Sequence, residues 1–136
     1  MSMDKNSAAV YGGIFDSLEA AQEYMQLVDG VPKRFMDDMY LRGEFSGRIE
    51  IRYFGKKSNK AEELYKDFPY SDRIVGFLQE AFLNKLKRAA NTAIIIYDFY
   101  LGVEHMTGHR YKQMSEKKTD DYHIFHVANV FPYDRE

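Results

Sequence analysis

Three consecutive isoleucines, Ile94 to Ile96, stand between Ala93 and Tyr97 in the second half of the chain. β-Branched side chains favour strands, and successive residues of a strand point to opposite faces of a sheet. A strand that is apolar at every position is therefore buried on both faces, which requires other layers to pack against it. We predict that this segment is a central strand of a sheet covered by helices.

Three other segments are predicted to be strands. Residues 8–15 contain strand-forming side chains around Gly12 and Gly13, a pair that indicates a bulge or a close backbone approach. Residues 44–54 alternate apolar and charged side chains, as expected of a strand with one solvated face. The last strand is predicted over residues 122–131, where it is expected to pair with the central strand.

Helical periodicity and end signals predict the remaining elements, with residues 55–60 as a loop. The predicted helices run, in chain order, from Asp16 to about Gly30, from Pro32 to Gly43, over a turn or two within residues 61–66, and from Ser71 to Asn91. Asp16 and Ser71 are expected to act as N-caps because a short polar side chain can accept a hydrogen bond from the first turn. Asn91 is expected to end the longest helix.

The length of 136 residues is that of one domain. The predicted order of elements is β, α, α, β, α, β, β. This order is typical of an α+β fold in which helices pack against a small mixed or antiparallel sheet of about four strands. We expect residues 8–132 to form this domain and residues 1–7 and 133–136 to be flexible termini.

The composition excludes several classes of function. The chain has no cysteine, which excludes disulfides, thiol nucleophiles and cysteine-ligated metal sites. Its 19 basic and 21 acidic residues give a net charge of -2, which does not favour nucleic acid as a partner. No secretion signal and no membrane-spanning stretch is recognised in the sequence. We therefore expect a cytoplasmic protein that does not bind a membrane.

Motifs for catalysis or cofactor binding are not recognised, and neither a Gly-rich phosphate loop nor a Gly-x-Ser-x-Gly turn is present. The histidines form two pairs, His105 with His109 and His123 with His126. Their spacing does not favour a shared metal site, so we expect no metal and no cofactor. Asp98, at the end of the central strand, is the best placed acid–base group. A small enzyme that pairs Asp98 with a histidine of the last strand is one alternative.

Acidic residues are concentrated in residues 16–50, which contain eight acidic and four basic side chains. Asp37 and Asp38 lie beside Tyr40 on the predicted short helix. An acidic rim around an aromatic side chain is the electrostatic complement of a basic cleft, such as a nuclease active site. A solvated helix face is the simpler explanation of the same charges.

Basic residues form two groups with structural explanations. Lys85, Lys87 and Arg88 fall in the last turns of the predicted long helix, where cations complement the helix dipole. The lysines of residues 112–118 are close to Glu116, Asp120 and Asp121 in the sequence. A continuous nucleic-acid surface is therefore not expected there.

Three separated stretches form a recognisable pattern. They are, in order, Gly13 to Glu19 (GIFDSLE), Phe68 to Asp72 (FPYSD) and Ala90 to Phe99 (ANTAIIIYDF). In this order and at similar distances they resemble the immunity protein 22 family of bacterial polymorphic toxin systems, over roughly residues 8–101. The resemblance implies a small cytoplasmic protein that binds and neutralises a toxin made beside it, with no catalysis of its own.

On this resemblance we expect an immunity protein, and not an enzyme, that covers the active site of its cognate toxin or a nearby surface. A self-associating regulatory module, forming a homodimer through its aromatic surface, is the remaining alternative. The hypothesised toxin-binding residues are Asp37, Asp38, Tyr40 and Glu44 as the first group and Tyr97, Asp98 and Tyr100 as the second.

Overall fold

One antiparallel sheet of five strands organises the protein. The structure is a computed structural model that describes residues 7–39, 47–83, 85–99 and 116–132. The strands in these ranges are β1 (Ala8–Ile14), β2 (Leu27–Val28), β3 (Val31–Pro32), β4 (Arg48–Lys60), β5 (Lys85–Tyr97), β6 (Glu116–Lys118) and β7 (His123–Val130). The helices are α1 (Leu18–Tyr24), α2 (Lys33–Asp38), α3 (Ala61–Tyr65) and α4 (Ser71–Phe82). The predicted α+β class is confirmed, with one strand more than predicted in the main sheet.

The strand order of the main sheet is β4-β5-β1-β7-β6, and β2 pairs with β3 in a separate hairpin. The isoleucine segment lies inside the sheet as predicted, because β5 is bordered by β4 and β1. Residues Ala93 to Tyr97 are fully buried. Each buried isoleucine side chain contributes about 1.5 to 3 kcal/mol through removal of apolar surface from water.

The two faces of the sheet carry separate hydrophobic cores. Ile94 and Ile96 belong to the core under α1 and α2, whereas Ile95 and Tyr97 belong to the core under α3 and α4. This alternation follows from the two-residue period of a strand. The sheet is therefore the middle layer of three, with α1, the hairpin and α2 on one side and α3 and α4 on the other.

The glycine pair of β1 allows two aromatic rings to lie against the middle strand. A Cβ atom on Gly12 would be 2.7 Å from Cε1 of Phe125, and one on Gly13 would be 2.7 Å from Cε2 of Phe15. The atoms nearest to the two glycines thus belong to side-chain rings and not to the backbone of another strand. The pairing of β1 with β7 also shifts register between Val10 and Tyr11.

The prediction of the longest helix is wrong for its second half. Helix α4 ends at Phe82, Leu83 adopts a left-handed conformation with φ 54, and β5 begins at Lys85. Leu86 and Ala90 are four residues apart, a spacing that fits a helix face and a strand face equally well. Pairing with β4, which places Ala90 opposite Ser58, selects the strand. Asn91 is therefore a buried strand residue and does not end a helix.

Both predicted N-caps lie one residue from the observed ones. Ser17, and not Asp16, caps α1, and its hydroxyl accepts a hydrogen bond from the backbone N–H of Ala20 at 3.0 Å. Helix α4 is preceded by Tyr70 in a left-handed conformation with φ 62, so Ser71 is its first helical residue.

The first helix also ends earlier than predicted, at Tyr24, because residues 27–32 form the β2–β3 hairpin. Its two turn residues, Asp29 and Gly30, have φ values of 54 and 84. Positive φ at both central positions defines a type I′ turn, which Asp-Gly favours and which matches the twist of the strands. The Asp-Gly pair is thus a hairpin signal and not a helix end.

Two strand predictions are also corrected. Strand β4 continues to Lys60 through Gly55, whose φ of 78 accommodates an irregularity in the pairing, so residues 55–60 are not a loop. Strand β7 pairs with β1 and β6 and not with β5. The reason is that β4 and β1 already occupy both hydrogen-bonding edges of the isoleucine segment.

Candidate functional site

Asp38, a hypothesised toxin-binding residue, is the acceptor of a tyrosine network. Its Oδ2 atom accepts hydrogen bonds from the hydroxyls of Tyr24 at 2.9 Å and Tyr122 at 2.6 Å. The guanidinium carbon of Arg34 lies 5.4 and 5.6 Å from the centroids of the same two rings. These residues come from α1, from α2 and from the segment before β7, so the network joins three parts of the chain.

The protonation states of the two tyrosines are consistent with the role of Asp38 as a hydrogen-bond acceptor that joins these parts of the chain. Burial, followed by the negative charge of Asp38, raises the pKa of Tyr24 far above its ordinary range. Burial and the hydrogen bond to Asp38 raise the pKa of Tyr122 to about 12. Both phenols therefore stay protonated and donate to Asp38 at neutral pH. Asp38 orients α2 and is not an unpartnered acid.

Asp37 has the opposite character, although it is the adjacent residue. Its side chain is 65% exposed and lies 3.4 Å from Nζ of Lys33, one helical turn earlier. An exposed pair at this spacing contributes only about 0.3 to 0.5 kcal/mol, so little stability depends on it. Of the two aspartates, Asp37 is the one that is free to meet a partner.

The second group of hypothesised residues also contains one buried side chain, Tyr97, and one that is partly accessible, Asp98. Tyr97 is fully buried, donates a hydrogen bond to the carbonyl of Pro69 at 2.6 Å, and has the guanidinium of Arg48 over its ring at 4.9 Å. It therefore supports the fold and presents no surface to a partner. Asp98 is half-buried in a left-handed conformation with φ 60, and its N–H donates to the carbonyl of Ser7 at 2.8 Å.

Three of the hypothesised binding residues, Tyr40, Glu44 and Tyr100, lie outside the described residues, as do His105 and His109.

The three stretches that carry the family resemblance are in direct contact. The Asn91 side chain makes a pair of hydrogen bonds to the backbone of Phe15, accepting from its N–H at 3.1 Å and donating to its carbonyl at 2.9 Å. Tyr97 contacts Pro69, as described above. The third stretch, on β5, thus contacts both the first stretch and the second. The residues that carry the resemblance therefore hold the fold together.

Asp98 does not pair with a histidine of the last strand. It follows Tyr97, which is opposite Ala8 of β1, whereas His126 is opposite Tyr11 of the same strand. With about 4.8 Å between neighbouring strands and about 3.3 Å per residue along a strand, the two backbones are roughly 15 Å apart. His123 lies farther along, opposite Ile14. The acid–base pair of the enzyme alternative is therefore not formed.

Each histidine of β7 has a different partner. His123 Nε2 is 2.6 Å from Glu116, and His126 Nε2 is 3.2 Å from Asn129. Their rings contact Phe125 in one core and Tyr11 in the other, which confirms that they project to opposite faces. Burial lowers the pKa of His126 to about 4, so it is neutral at pH 7. Within the described part of the chain, no group of three metal-ligating residues is found.

Sequence reasoning missed a charged cluster formed by residues of three strands, β5, β6 and β7. Glu116 of β6 lies 2.9 Å from Arg88 of β5 while it also contacts His123, and the Arg88 guanidinium is 5.3 Å from the Phe125 ring. Arg88 reaches Glu116 over the Phe125 ring of β7. Gly12 leaves room for the Phe125 ring on this route. The signal in the sequence was the glycine pair, but its partners could be identified only from the strand order.

Comparison with known proteins matches the chain to no protein-family model, no curated protein and no solved structure. None of the helices in the described ranges has both the length and the apolar character needed to cross a membrane.

Proposed function

We propose that the protein is an immunity protein that binds and neutralises a cognate polymorphic toxin in the cytoplasm of the producing bacterium. The observation that carries this proposal is the resemblance of its three stretches to the immunity protein 22 family. Their contacts through Asn91 and Tyr97 support it, because motifs shared among binders of different targets are expected to maintain the common scaffold. The partner surface should then lie elsewhere on the molecule.

The layer formed by α1, the hairpin and α2 is the best candidate for that surface. Residues 16–39 contain six acidic and two basic side chains. Asp38 is held by its tyrosines, but the other five acidic residues are exposed: Asp16, Glu19, Glu23, Asp29 and Asp37. An acidic surface of this kind is complementary to a basic cleft and accelerates association with it.

The β2–β3 hairpin adds an apolar centre to this acidic layer. Leu27 and Val28 are 56% and 47% exposed, directly before the Asp29-Gly30 turn. Protein interfaces commonly combine a small apolar centre, which is desolvated on binding, with a polar or charged rim. The proposed interface therefore consists of the hairpin as the centre and the acidic residues of α1 and α2 as the rim.

Co-expression tests the proposal directly. The chain is produced together with the C-terminal domain of the large protein encoded immediately upstream of it, and host survival and co-purification are measured. Rescue of growth together with a stable complex is the expected result. Toxicity that persists although the chain is expressed in soluble form would contradict the proposal.

Charge reversal at Asp37 then tests the surface, with Glu80→Lys on α4 as a control that changes the same charge on the opposite layer. Asp37→Lys is expected to slow association about tenfold at low ionic strength, whereas Glu80→Lys should change it less than about twofold. Asp38 is avoided because its substitution would break the tyrosine network. Equal rates for both variants would exclude this surface and leave the immunity role intact.

A further inference from the structure

The near-neutral total charge conceals a strongly basic region. The distal half of β4 and the first residues of β5, residues 55–60 and 85–88, contain six basic side chains and no acidic one. We call these two segments the basic ribbon. All six of these side chains are exposed: Lys56, Lys57, Lys60, Lys85, Lys87 and Arg88.

The two strands of the basic ribbon extend past the end of their neighbour. β4 pairs with β5 as far as Lys60 opposite Lys85, whereas β1 pairs with β5 only as far as Thr92. One face of the ribbon is covered, because Leu86 is buried in the core under α3 and α4. Lys85 and Lys87 flank Leu86 and therefore project from the other face, as the alternation of a strand requires.

The lysines of the basic ribbon are not neutralised within the described residues. None of the five has a carboxylate within ion-pair distance there, whereas Arg88 pairs with Glu116. Lys60 and Lys85 are directly opposite each other, and like charges in such a cross-strand pair destabilise a sheet. The helix dipole cannot explain Lys85 and Lys87, since this segment is a strand. Neither an ion pair within the described residues nor a helix dipole thus explains this concentration of charge.

We propose that the basic ribbon binds the phosphate backbone of single-stranded nucleic acid. Lysine is a compact point charge suited to phosphate, and a row of cations along two strands can follow a flexible chain of phosphates. Lys60 is directly opposite Lys85, and such cross-strand partners point to the same side of a sheet, so Lys60, Lys85 and Lys87 present their charges on one face. Recognition of protein carboxylates favours the bidentate fork of arginine, whereas five of these six cations are lysines. This inference does not rest on the proposed immunity function.

Fluorescence anisotropy with a labelled single-stranded oligonucleotide of mixed sequence tests the proposal on the full chain. Binding is expected at low salt and should weaken steeply as salt is added. The variant K85Q/K87Q removes two ribbon charges, and K66Q/K118Q removes two exposed lysine charges elsewhere as a matched control. The first should weaken binding several-fold and reduce the slope of log K against log salt by about 1.4, at about 0.7 per phosphate contact. The control should retain the wild-type slope.

Three results would overturn the proposal. One is the absence of binding at low salt by a wild-type protein that is folded, which would leave the lysines as protection of exposed strand edges. Another is equal weakening by the two double variants, which would indicate attraction to the whole molecule. The third is displacement of the oligonucleotide by polyglutamate at equal charge concentration, which would indicate an acidic protein as the partner. Thermal unfolding of each variant verifies that it is folded.

Discussion

The two halves of β5 have opposite surroundings although they belong to one strand. Residues 93–97 are bordered by β4 and β1 and are fully buried. Residues 85–90 pair only with β4 among the described residues, and of these six only Leu86 and Ala90 are buried. Packing thus determines every side chain of the buried half, whereas it determines only two of the six side chains in the basic half. The unconstrained positions of the basic half are the ones that carry charge.

The largest expected contrast between the halves is in stability. Ile95→Ala removes a fully buried side chain and is expected to lower the free energy of unfolding by about 4 kcal/mol, as for other large-to-small core substitutions. Lys87→Ala, eight residues earlier in the same strand, should change it by less than about 0.5 kcal/mol. Chemical denaturation of both variants measures the difference. Similar losses would mean that the basic half is packed as tightly as the buried half.

Asn91 stands at the boundary between the halves, and its removal should have the next largest effect. Asn91→Ala leaves the buried N–H and carbonyl of Phe15 without their side-chain partner, and an expected loss of about 3 kcal/mol follows from the cost of unsatisfied buried groups. Asn59→Ala on β4 is the control, because Asn59 makes no side-chain hydrogen bond within the described residues. Equal denaturation midpoints for the two variants would contradict the role assigned to Asn91.

The same contrast explains which parts of the fold the sequence could predict. The buried half of β5 was predicted correctly because an unbroken β-branched run has few alternatives to an interior strand. The basic half is predicted as helix because Leu86 continues the helical spacing of Leu78 and Phe82, and only its pairing with β4 distinguishes strand from helix. Such pairing is a long-range property that a local pattern does not contain.

The candidate site shows the same limit. Asp37 and Asp38 were grouped from their adjacency and charge, but the partners of Asp38 are distant in sequence: Tyr24 in α1 and Tyr122 before β7. Tyr97 is adjacent to Asp98 in the sequence, yet its side chain points into the core. Charge and composition predicted an acidic region, whereas the division into supporting and exposed residues required the three-dimensional arrangement.

Leu83, the residue at which α4 ends before the basic half begins, permits a stabilising substitution. It holds a left-handed conformation with φ 54 and is 86% exposed. Glycine adopts this conformation without the Cβ penalty, so Leu83→Gly is expected to raise the free energy of unfolding by about 1 kcal/mol. Leu83→Ala retains the Cβ atom and should give no such gain. Destabilisation by glycine, measured by thermal unfolding, would show that the end of the helix depends on the leucine side chain.

The smallest expected effect concerns Arg88, the one cation of the basic ribbon that has a described carboxylate partner. Burial acts to raise the pKa of Glu116, but the hydrogen bond with His123 and the charge of Arg88 outweigh it and lower the pKa below its ordinary value. A carboxylate with a lowered pKa stabilises the fold above its unfolded pKa of about 4.3, and this contribution is lost as the pH falls through the folded value. Because both side chains are partly exposed, Glu116→Gln should cost only about 0.5 kcal/mol at neutral pH.

The pH dependence distinguishes this ion pair from simple packing. The difference in unfolding free energy between wild type and Glu116→Gln should be present at neutral pH and should diminish as the solution is acidified below the unfolded pKa of about 4.3. Denaturant titrations at a series of pH values measure it. A difference that is the same at acidic and neutral pH would mean that Glu116 holds β6 through shape alone. Arg88 would then be as unneutralised as the five lysines beside it, and the whole basic ribbon would be available to an anionic partner.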